Sequence, residues 1–591
     1  METPDATALT QAAINNGNLL LAYDTAISAI NEGDASVELR HLIVLALARM
    51  GNSEQAMALF HQYGLDSSPD AHHRSIAARI LKDAAFGISP TASSARDERK
   101  DALLSAYHAY RVIFEESGDA YPGINAASLA FLAGQTDEAV AIAETLLELA
   151  EIAEPDNYFD TATQAEALMI TGRLDDAQRS LNKAGAMPDA NAGARASTNR
   201  QLELVGRQAG LDEQAVAALL APIAPPSVIH FCGHIFLENA ETEARLKAAI
   251  DAFLDENDVG YAYGALAAGA DILIAEAVLA RGGELNVIMP FAQEDFIAQS
   301  ITPAGGSWLK RYEACMAAAS SINYATEMHY VGDPDQFGYA SKVAMGQAVL
   351  RAQYLGRAAK QLAVWDGGNS TGPAGTGADV AAWKSYGGDS HIIDAGAIDR
   401  NIAGSKNPDE DLYKRTVAAI LFTDFPGFSK LAEASLPAFW NGVMGSMANV
   451  LDNYPDQILA QNSWGDALLA VTPDAPCAAS LALELQSSLQ DFDYALLGMT
   501  ERSGMRIGVH FGPAYETRDP ITGKTTFYGT EVSRAARIEP VTPPGAVFVT
   551  EAFAAVLALE APELYKCRYA GNIEFAKGYG TYPIYQLTYR N

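Results

Sequence analysis

The most constraining feature of the chain is a pair of short apolar runs that each lead to a single carboxylate. The first run is Ile420-Leu-Phe-Thr-Asp-Phe-Pro-Gly-Phe-Ser429, and the second carboxylate comes 42 positions after Asp424, in Trp464-Gly-Asp466. Strands that end on acidic residues can bring two carboxylates side by side, which is how a fold holds divalent cations against a polyphosphate. We therefore predict that Asp424 and Asp466 meet in space and bind metal.

Two further blocks follow in the same part of the chain, Met505-Arg-Ile-Gly-Val-His-Phe-Gly-Pro513 and Gly529-Thr-Glu-Val-Ser-Arg-Ala-Ala-Arg537. Four ordered blocks are much more specific than a lone F-x-D-x-x-G-F run. In this order and at these spacings, they resemble the catalytic domain of class III nucleotidyl cyclases. The resemblance implies an α+β ferredoxin-like domain over residues 413–591. It also implies conversion of a nucleoside triphosphate, with ATP favoured, into a 3′,5′-cyclic nucleotide and pyrophosphate.

The resemblance also assigns roles to single residues. Asp424 and Asp466 match the two metal-binding aspartates, which implies two Mg²⁺ or Mn²⁺ ions per site, and Arg537 matches the arginine that stabilises the transferring phosphoryl group. The expected nucleotide contacts here are Phe425, Gly427, Phe428, Ser429 and Lys577. Gly427, Phe428 and Ser429 are expected at the start of a helix, where backbone N–H groups can cradle phosphates. In this family the aspartates and the arginine come from different protomers, so the resemblance implies a homodimer with interfacial sites.

Three positions depart from the adenylyl-type pattern. Asn462 replaces a lysine and Thr526 replaces an aspartate at the base-reading positions, and Ser533 replaces the asparagine that orients the ribose. Asn and Thr can each present a donor or an acceptor, so the base stays open. The shorter Ser533 loses reach, and a misplaced ribose slows catalysis. Two interpretations remain: an active cyclase, or a catalytically degenerate cyclase-homology protein that serves as a nucleotide-binding signalling or dimerisation module.

The charge balance excludes two kinds of binding surface. The chain has 73 acidic and 40 basic residues and a formal net charge of −33. A broad nucleic-acid or anionic-membrane surface would be repelled, so small anions must be held by backbone amides, metals or individual Arg and Lys side chains. The sequence has neither a signal-type N-terminus nor an apolar run of membrane-spanning length. It therefore predicts a cytoplasmic protein without nucleic-acid or membrane partners.

Glycine and alanine recur five positions apart in the first 222 residues. The pairs are Gly17…Ala22, Gly51…Ala56, Gly134…Ala139, Gly172…Ala177 and Gly210…Ala215. The spacing fits helix-turn-helix repeats, in which small residues let two helices approach at the turn and stacking buries their faces. Residues 1–222 thus resemble an all-α, tetratricopeptide-like solenoid, which implies a protein partner or a dimer scaffold on the repeats. Consecutive prolines up to Pro226 end this part.

Strands and helices alternate over residues 227–396. Buried strands are predicted at Ser227–Gly233, Leu285–Pro290 and Leu362–Gly368, with Gly-rich turns leading into helices. Such alternation predicts a parallel sheet that is flanked on both faces and binds ligands at the carboxyl ends of its strands. The region resembles the Rossmann-like nucleotide sensors called SLOG. Residues 397–412 are polar and mixed, and are predicted to be a linker.

The candidate ligand site of this middle domain combines glycines next to helix starts with two polar side chains. It comprises Gly233, Gly264, Gly269, Asp366, Gly375 and Thr376. Backbone amides at such glycines can take a phosphate, and Asp366 can accept from a ribose hydroxyl, so we predict a nucleotide-derived ligand. The same glycines also serve to close a doubly wound sheet. A third function stays open, in which the middle domain itself cleaves an N-glycosidic bond and the C-terminal domain regulates it.

Overall fold

The structure is a computed structural model that describes residues 5–34, 36–50, 52–88, 93–152, 155–368, 372–396, 398–399, 415–499, 504–576 and 578–590. The chain forms two compact units. The first runs to Pro225 and includes Tyr354–Arg357, and the second comprises Pro226–Gln353 and Ala358–Arg590. Apart from residues 398–399, the predicted linker lies outside the described residues.

The first unit is helical, as predicted. Its helices are α1 (Ala6–Asn15), α2 (Leu19–Asn31), α3 (Val37–Arg49), α4 (Ser53–Gln62), α5 (Ala71–Gly87), α6 (Ser93–Ser117), α7 (Ala120–Leu132), α8 (Thr136–Ile152), α9 (Tyr158–Ile170), α10 (Leu174–Gly185), α11 (Ala192–Gln208) and α12 (Glu213–Leu220). Consecutive helices up to α10 pack on each other, and buried Ala, Leu and Tyr side chains of α5–α12 form one core.

The glycine–alanine signature explains four of the five predicted turns. Four of its glycines end a helix in left-handed backbone with φ of 69° to 88°, namely Gly17, Gly134, Gly172 and Gly210, while Gly51 lies outside the described residues. Four of its alanines are fully buried: Ala22, Ala56, Ala139 and Ala177. The prediction is wrong for Ala215, which is exposed. Because α12 begins one residue later than the repeat expects, Val216 takes the buried position.

The middle domain is built on a six-stranded parallel sheet. Its strands are β1 (Ser227–Gly233), β2 (Val259–Gly264), β3 (Glu284–Met289), β4 (Ser321–Tyr324), β5 (Lys360–Trp365) and β6 (Ser390–Asp394), in the order β4-β3-β2-β1-β5-β6. Its helices are α13 (Ala240–Glu256), α14 (Ala270–Ala280), α15 (Gln293–Phe296), α16 (Trp308–Ala318), α17 (Asp335–Tyr354) and α18 (Thr376–Ser385). All five strand pairs are parallel, which confirms that prediction. The strand order reverses direction between β1 and β5, where ligands of such sheets bind.

The C-terminal domain contains a mostly antiparallel sheet. Its strands are β7 (Thr416–Asp424), β8 (Ala460–Trp464), β9 (Ala467–Thr472), β10 (Arg506–Arg518), β11 (Thr525–Tyr528), β12 (Val547–Thr550), β13 (Tyr565–Glu574) and β14 (Thr581–Tyr589). The order is β13-β14-β12-β10-β7-β9-β8, and β11 pairs with β10. The helices are α19 (Leu436–Phe439), α20 (Gly445–Leu451), α21 (Ala475–Ser487), α22 (Thr530–Ile538) and α23 (Glu551–Glu560). None of the helices in the described part of the chain combines the length and apolarity needed to cross a membrane.

Candidate active site and a second cavity

Asp424 is placed by the buried central strand β7. The strand is apolar and fully buried over residues 418–421, and its last residue is Asp424. The next side chain, Phe425, turns into the core and packs on Phe439 and Tyr494. Its burial fixes the end of the strand and leaves the Asp424 carboxylate partly exposed at the edge of the sheet.

Asp466 lies in the tight turn of the β8–β9 hairpin. Gly465 takes the left-handed backbone of the turn, with φ of 65°. Because β9 pairs with β7 up to Thr423 and Leu468, the turn lies beside Asp424. Burial raises the pKa of Asp466, and the charge of Asp424 and a hydrogen bond to it raise it further. The two carboxyl groups thus touch, as the sequence predicts, and their repulsion favours a shared cation.

Arg506 joins this pair to a third carboxyl group, that of Glu539. Neither Arg506 nor Glu539 was predicted from the sequence to belong to the site. Arg506 forms an ion pair with Asp424 through Nη2, and its Nε lies 3.1 Å from Glu539 Oε1. Burial raises the pKa of Glu539 to about 7, helped by the charges of Asp424 and Asp466. Two acids, Asp424 and Glu539, therefore share one guanidinium, and Asp466 lies next to the first of them. A metal ion on the aspartates would compete with Arg506 for Asp424.

The acidic pair fits a hard divalent cation because its donors are all oxygen. No group of three or more His, Cys, Asp and Glu side chains within the described residues is placed to hold a metal ion. Phosphate and water oxygens would therefore complete the coordination around Asp424 and Asp466, as is usual for Mg²⁺ bound to a nucleotide.

The predicted phosphate-binding helix start is a single turn, and this part of the prediction is wrong. The turn spans Phe428–Lys430 and ends because Leu431 is extended, with φ of −63° and ψ of 139°. Gly427 has φ of 85° and open space around its Cα. The N–H of Phe428 donates to the Phe425 carbonyl at 3.2 Å, so it is not available to a phosphate. Phe425 contributes a backbone N–H to Asp466 and keeps its side chain in the core.

Helix α22 carries both predicted catalytic residues. Arg537 is in its last turn, and the buried Nε of Arg537 has no hydrogen-bond partner among the described residues. Ser533 is exposed, and its hydroxyl donates to the Gly529 carbonyl at 3.3 Å. The helix is anchored by the buried Glu531, whose Oε2 lies 2.7 Å from His510 Nε2. Because Ser533 bonds back to its own helix, it reaches less far than an asparagine would.

The two candidate base-reading residues lie on neighbouring strands. Asn462 is exposed on β8, and Thr526 is partly exposed on β11, which contacts β8. Both side chains are neutral hydrogen-bonding groups, so they can read a base edge without a charge. Lys577, the last predicted nucleotide contact, lies outside the described residues.

The middle domain contains a cavity of about 710 Å³ at the ends of β1 and β5. Four of the six predicted ligand residues line it: Gly233, Asp366, Gly375 and Thr376. The other two serve packing. A Cβ on Gly264 would lie 2.7 Å from the Phe231 carbonyl oxygen, and one on Gly269 would lie 2.8 Å from the His234 carbonyl oxygen. The cavity thus lies at the reversal of strand order, where the parallel sheet predicts a ligand.

Acidic groups dominate this cavity. His234 bridges two predicted residues, with Nε2 2.9 Å from Asp366 Oδ1 and Nδ1 3.4 Å from Thr376 Oγ1. Asp271 is buried, and its Oδ1 has no hydrogen-bond partner among the described residues. Burial raises the pKa of Asp271 well above its usual range and that of Asp379 to about 7. No described lining residue is Lys or Arg, so a phosphate here would depend on backbone amides.

Comparisons with known proteins divide the chain in the same way. Residues 410–589 match the family described as the adenylate and guanylate cyclase catalytic domain, and residues 19–130 match the family described as Tetratricopeptide Repeats-Sensor. No curated protein gives a significant match to the sequence.

Solved structures that resemble the chain are cyclases. They include the adenylyl cyclase CyaB from P. aeruginosa (19% identity, 30% of this chain, 95% of that chain, TM-score 0.26). They also include the guanylate cyclase domain of RhGC from Catenaria anguillulae in complex with GTP (20% identity, 30% of this chain, 100% of that chain, TM-score 0.26). A third is an adenylate cyclase from Trypanosoma brucei (19% identity, 29% of this chain, 87% of that chain, TM-score 0.26). The likeness to known families thus falls on two parts of the chain, residues 410–589 in the C-terminal domain and residues 19–130 in the helical unit.

Proposed function

We propose that the chain is a metal-dependent cytoplasmic nucleotidyl cyclase. It converts a nucleoside triphosphate, with ATP favoured, into a 3′,5′-cyclic nucleotide and pyrophosphate. The observation that carries the proposal is the contact between the carboxyl groups of Asp424 and Asp466 at one edge of the sheet. Two Mg²⁺ or Mn²⁺ ions held there would neutralise the negative charge that grows on the phosphoryl and leaving oxygens.

The remaining site residues bind and orient the nucleotide. Gly427 and the side chain of Ser429 are exposed and would contact the terminal phosphates, and Lys577 adds a cation in the same role. Arg537 has a free Nε, and its planar fork suits an α-phosphoryl group better than a lysine would. In a homodimer, Arg537 and Ser533 of one protomer complete the site whose aspartates belong to the other. Asn462 and Thr526 read the base.

The alternative is a cyclase-homology module that binds nucleotide and no longer turns it over. It is favoured by the ion pair between Arg506 and Asp424, because a guanidinium on a metal ligand opposes metal binding. The short, self-bonded Ser533 also favours it. Only the active cyclase would form a cyclic nucleotide, so this product distinguishes the two functions.

The experiment is to incubate the purified chain with Mn²⁺ and each of the four ribonucleoside triphosphates and to analyse the products by mass spectrometry. We expect a 3′,5′-cyclic nucleotide together with an equal amount of pyrophosphate, with ATP as the best substrate. If none of the four gives a cyclic product while nucleotide binding is preserved, the module without turnover is the correct function.

We further propose that the middle domain is a sensor that regulates the cyclase through α17. On one side, α17 lines the cavity with Ala340 and Ala344. On the other side, the Tyr339 hydroxyl donates to the Phe511 carbonyl in β10 at 2.8 Å, and Lys342 pairs with Glu560 of α23 at 2.8 Å. A ligand that displaces α17 would therefore act on the catalytic sheet.

Filling the cavity from one wall or the other tests this route without a known ligand. We expect Ala344→Leu, which adds volume on α17, to change the cyclase kcat severalfold, because overpacking forces helix shifts. Ala265→Leu is the matched control, since it fills the same cavity from the loop after β2. Equal effects of the two variants on kcat, or no effect of either, would contradict transmission through α17.

A further inference from the structure

Another cavity, distinct from that of the middle domain, lies among the helices of the first unit and is lined by several positively charged side chains. It measures about 350 Å³ and is lined by residues of α1, α3, α5, α7, α9 and α11. We call it the basic cavity, because its polar lining includes Arg49, Arg79, Lys82, His41 and His72. In a chain with a net charge of −33, the buried cations Arg79 and Lys82 beside the partly buried Arg49 need a physical explanation.

The cations of the basic cavity are poorly compensated by carboxylates. Lys82 is 6% exposed and donates to two neutral oxygens, Asn125 Oδ1 at 2.7 Å and Gln201 Oε1 at 2.8 Å. No ion pair joins Arg49 or Lys82 to a carboxylate within the described residues. Among the three, the described residues give only Arg79 an ion pair, with Nε 3.5 Å from Asp83 Oδ2. Burial and the charge of Arg79 lower the pKa of Arg49 to about 9, which reports this missing compensation.

Three acidic residues also line the cavity, but they do not neutralise it. Glu38 and Asp160 are exposed or half exposed at its rim, and Glu38 pairs with His73 at 3.1 Å. Glu166 is buried, and its carboxyl group accepts hydrogen bonds from Ser128 and from Gln201, the latter at 2.5 Å. Burial raises the pKa of Glu166, whereas the charge of Lys82 lowers it, so a single buried carboxyl group of the lining faces Arg49, Arg79 and Lys82.

Neutral polar and aromatic groups complete the lining. His41 is 2% exposed, and its Nδ1 has no hydrogen-bond partner among the described residues. Burial lowers the pKa of His41 to about 3, helped by His72 and His73, so the ring is neutral and can hydrogen-bond a ligand. The ring of Tyr121 lies 5.1 Å from that of His72. The cavity thus brings flat rings next to its cations, since Tyr121 also hydrogen-bonds Arg79.

We propose that the basic cavity binds a small phosphorylated metabolite, with its phosphate held by Arg49, Arg79 and Lys82 and its uncharged part against His72 and Tyr121. An anion at this place supplies the charge that the protein itself lacks, and charge-assisted hydrogen bonds from arginine suit phosphate geometry. The volume lies at the lower end of small-molecule sites. The helical repeats would then carry a chemical sensor of their own.

Binding of phosphates by the full chain tests the proposal. The probes are inorganic phosphate, ribose 5-phosphate and AMP, each compared with chloride at equal ionic strength by calorimetry and thermal melting. We expect saturable binding of the two organic phosphates, weaker binding of inorganic phosphate, and at least about a tenfold loss of affinity in Lys82→Met and in Arg49→Gln. Asp424→Asn should leave this binding unchanged, which separates it from the cyclase site.

A matched control and a stability measurement make the outcome decisive. Arg207→Met removes an arginine from α11 that is exposed and already paired with Glu203, so it should not alter affinity. Arg49→Met should lose binding and yet melt at an equal or higher temperature without ligand, because an uncompensated charge is removed. Absence of binding by all three probes, or equal loss in Arg207→Met, would overturn the proposal. Equal affinity for inorganic phosphate and AMP would overturn the metabolite as the ligand.

Discussion

Asp424→Asn and Asp466→Asn are each expected to lower the kcat for cyclic nucleotide formation by at least about a thousandfold. Each substitution keeps the shape of the side chain and removes one of the two charges that would hold the metal ions against the triphosphate. The loss should appear in kcat at saturating Mn²⁺ and nucleotide, measured as product by mass spectrometry. Removal of free metal with EDTA should have the same effect on the unsubstituted chain.

A carboxylate elsewhere in the same sheet provides the control for these variants. Glu516→Gln changes a β10 residue whose Oε2 lies 3.3 Å from Thr416 Oγ1, away from the aspartate pair. It should keep nearly full activity, and all three variants should melt within a few degrees of the unsubstituted chain. Activity above about a tenth of normal in either aspartate variant would show that the acidic pair is not the metal site.

Mixed dimers of two inactive variants should regain about half of normal activity per dimer, if each site takes its aspartates from one protomer and its arginine from the other. Asp424→Asn and Arg537→Ala are each expected to be inactive when expressed alone. In an equal mixture half of the dimers contain both variants, and each such dimer has one intact site out of two. Co-expression with two different tags, followed by purification through both, isolates these dimers for assay.

The same experiment has a clear negative outcome. If the doubly tagged dimers are no more active than the better of the two single variants, the site is not shared between protomers. Arg537→Lys adds a finer test in the same assay, because a point charge cannot replace the bidentate fork at a phosphoryl group. We expect that variant to stay at least about tenfold below normal.

Local sequence was sufficient to place the aspartate pair. The apolar run before Asp424 predicts a buried strand that ends on a carboxylate. A second strand was expected to lead to Asp466 in the same way, and in the structure Asp466 lies in the turn that follows β8. Arg506 and Glu539 could not be found in this way. Arg506 meets Asp424 only through the antiparallel register of β10 on β7, across 82 residues of chain.

Where sequence reasoning failed, small shifts in backbone path were the cause. The turn after Gly427 was expected to continue as a helix, but extended backbone at Leu431 ends it after one turn. Ala215 was expected in a helix interface, but a start one residue later puts Val216 there. The acidic character of the middle-domain cavity could not be predicted either, because Asp271 and Asp379 become neighbours only in the folded chain.

The close approach of α17 to α23 limits how the middle domain can evolve. A Cβ on Gly346 would lie 2.2 Å from the Ala555 carbonyl oxygen, so the two helices touch backbone to backbone. No rotamer change can absorb a displacement at such a contact, since no side chain separates the helices. Substitutions that change the cavity are therefore free to vary in the loop after β2 and on α18, whereas those on α17 must also preserve the position of a helix in the catalytic domain.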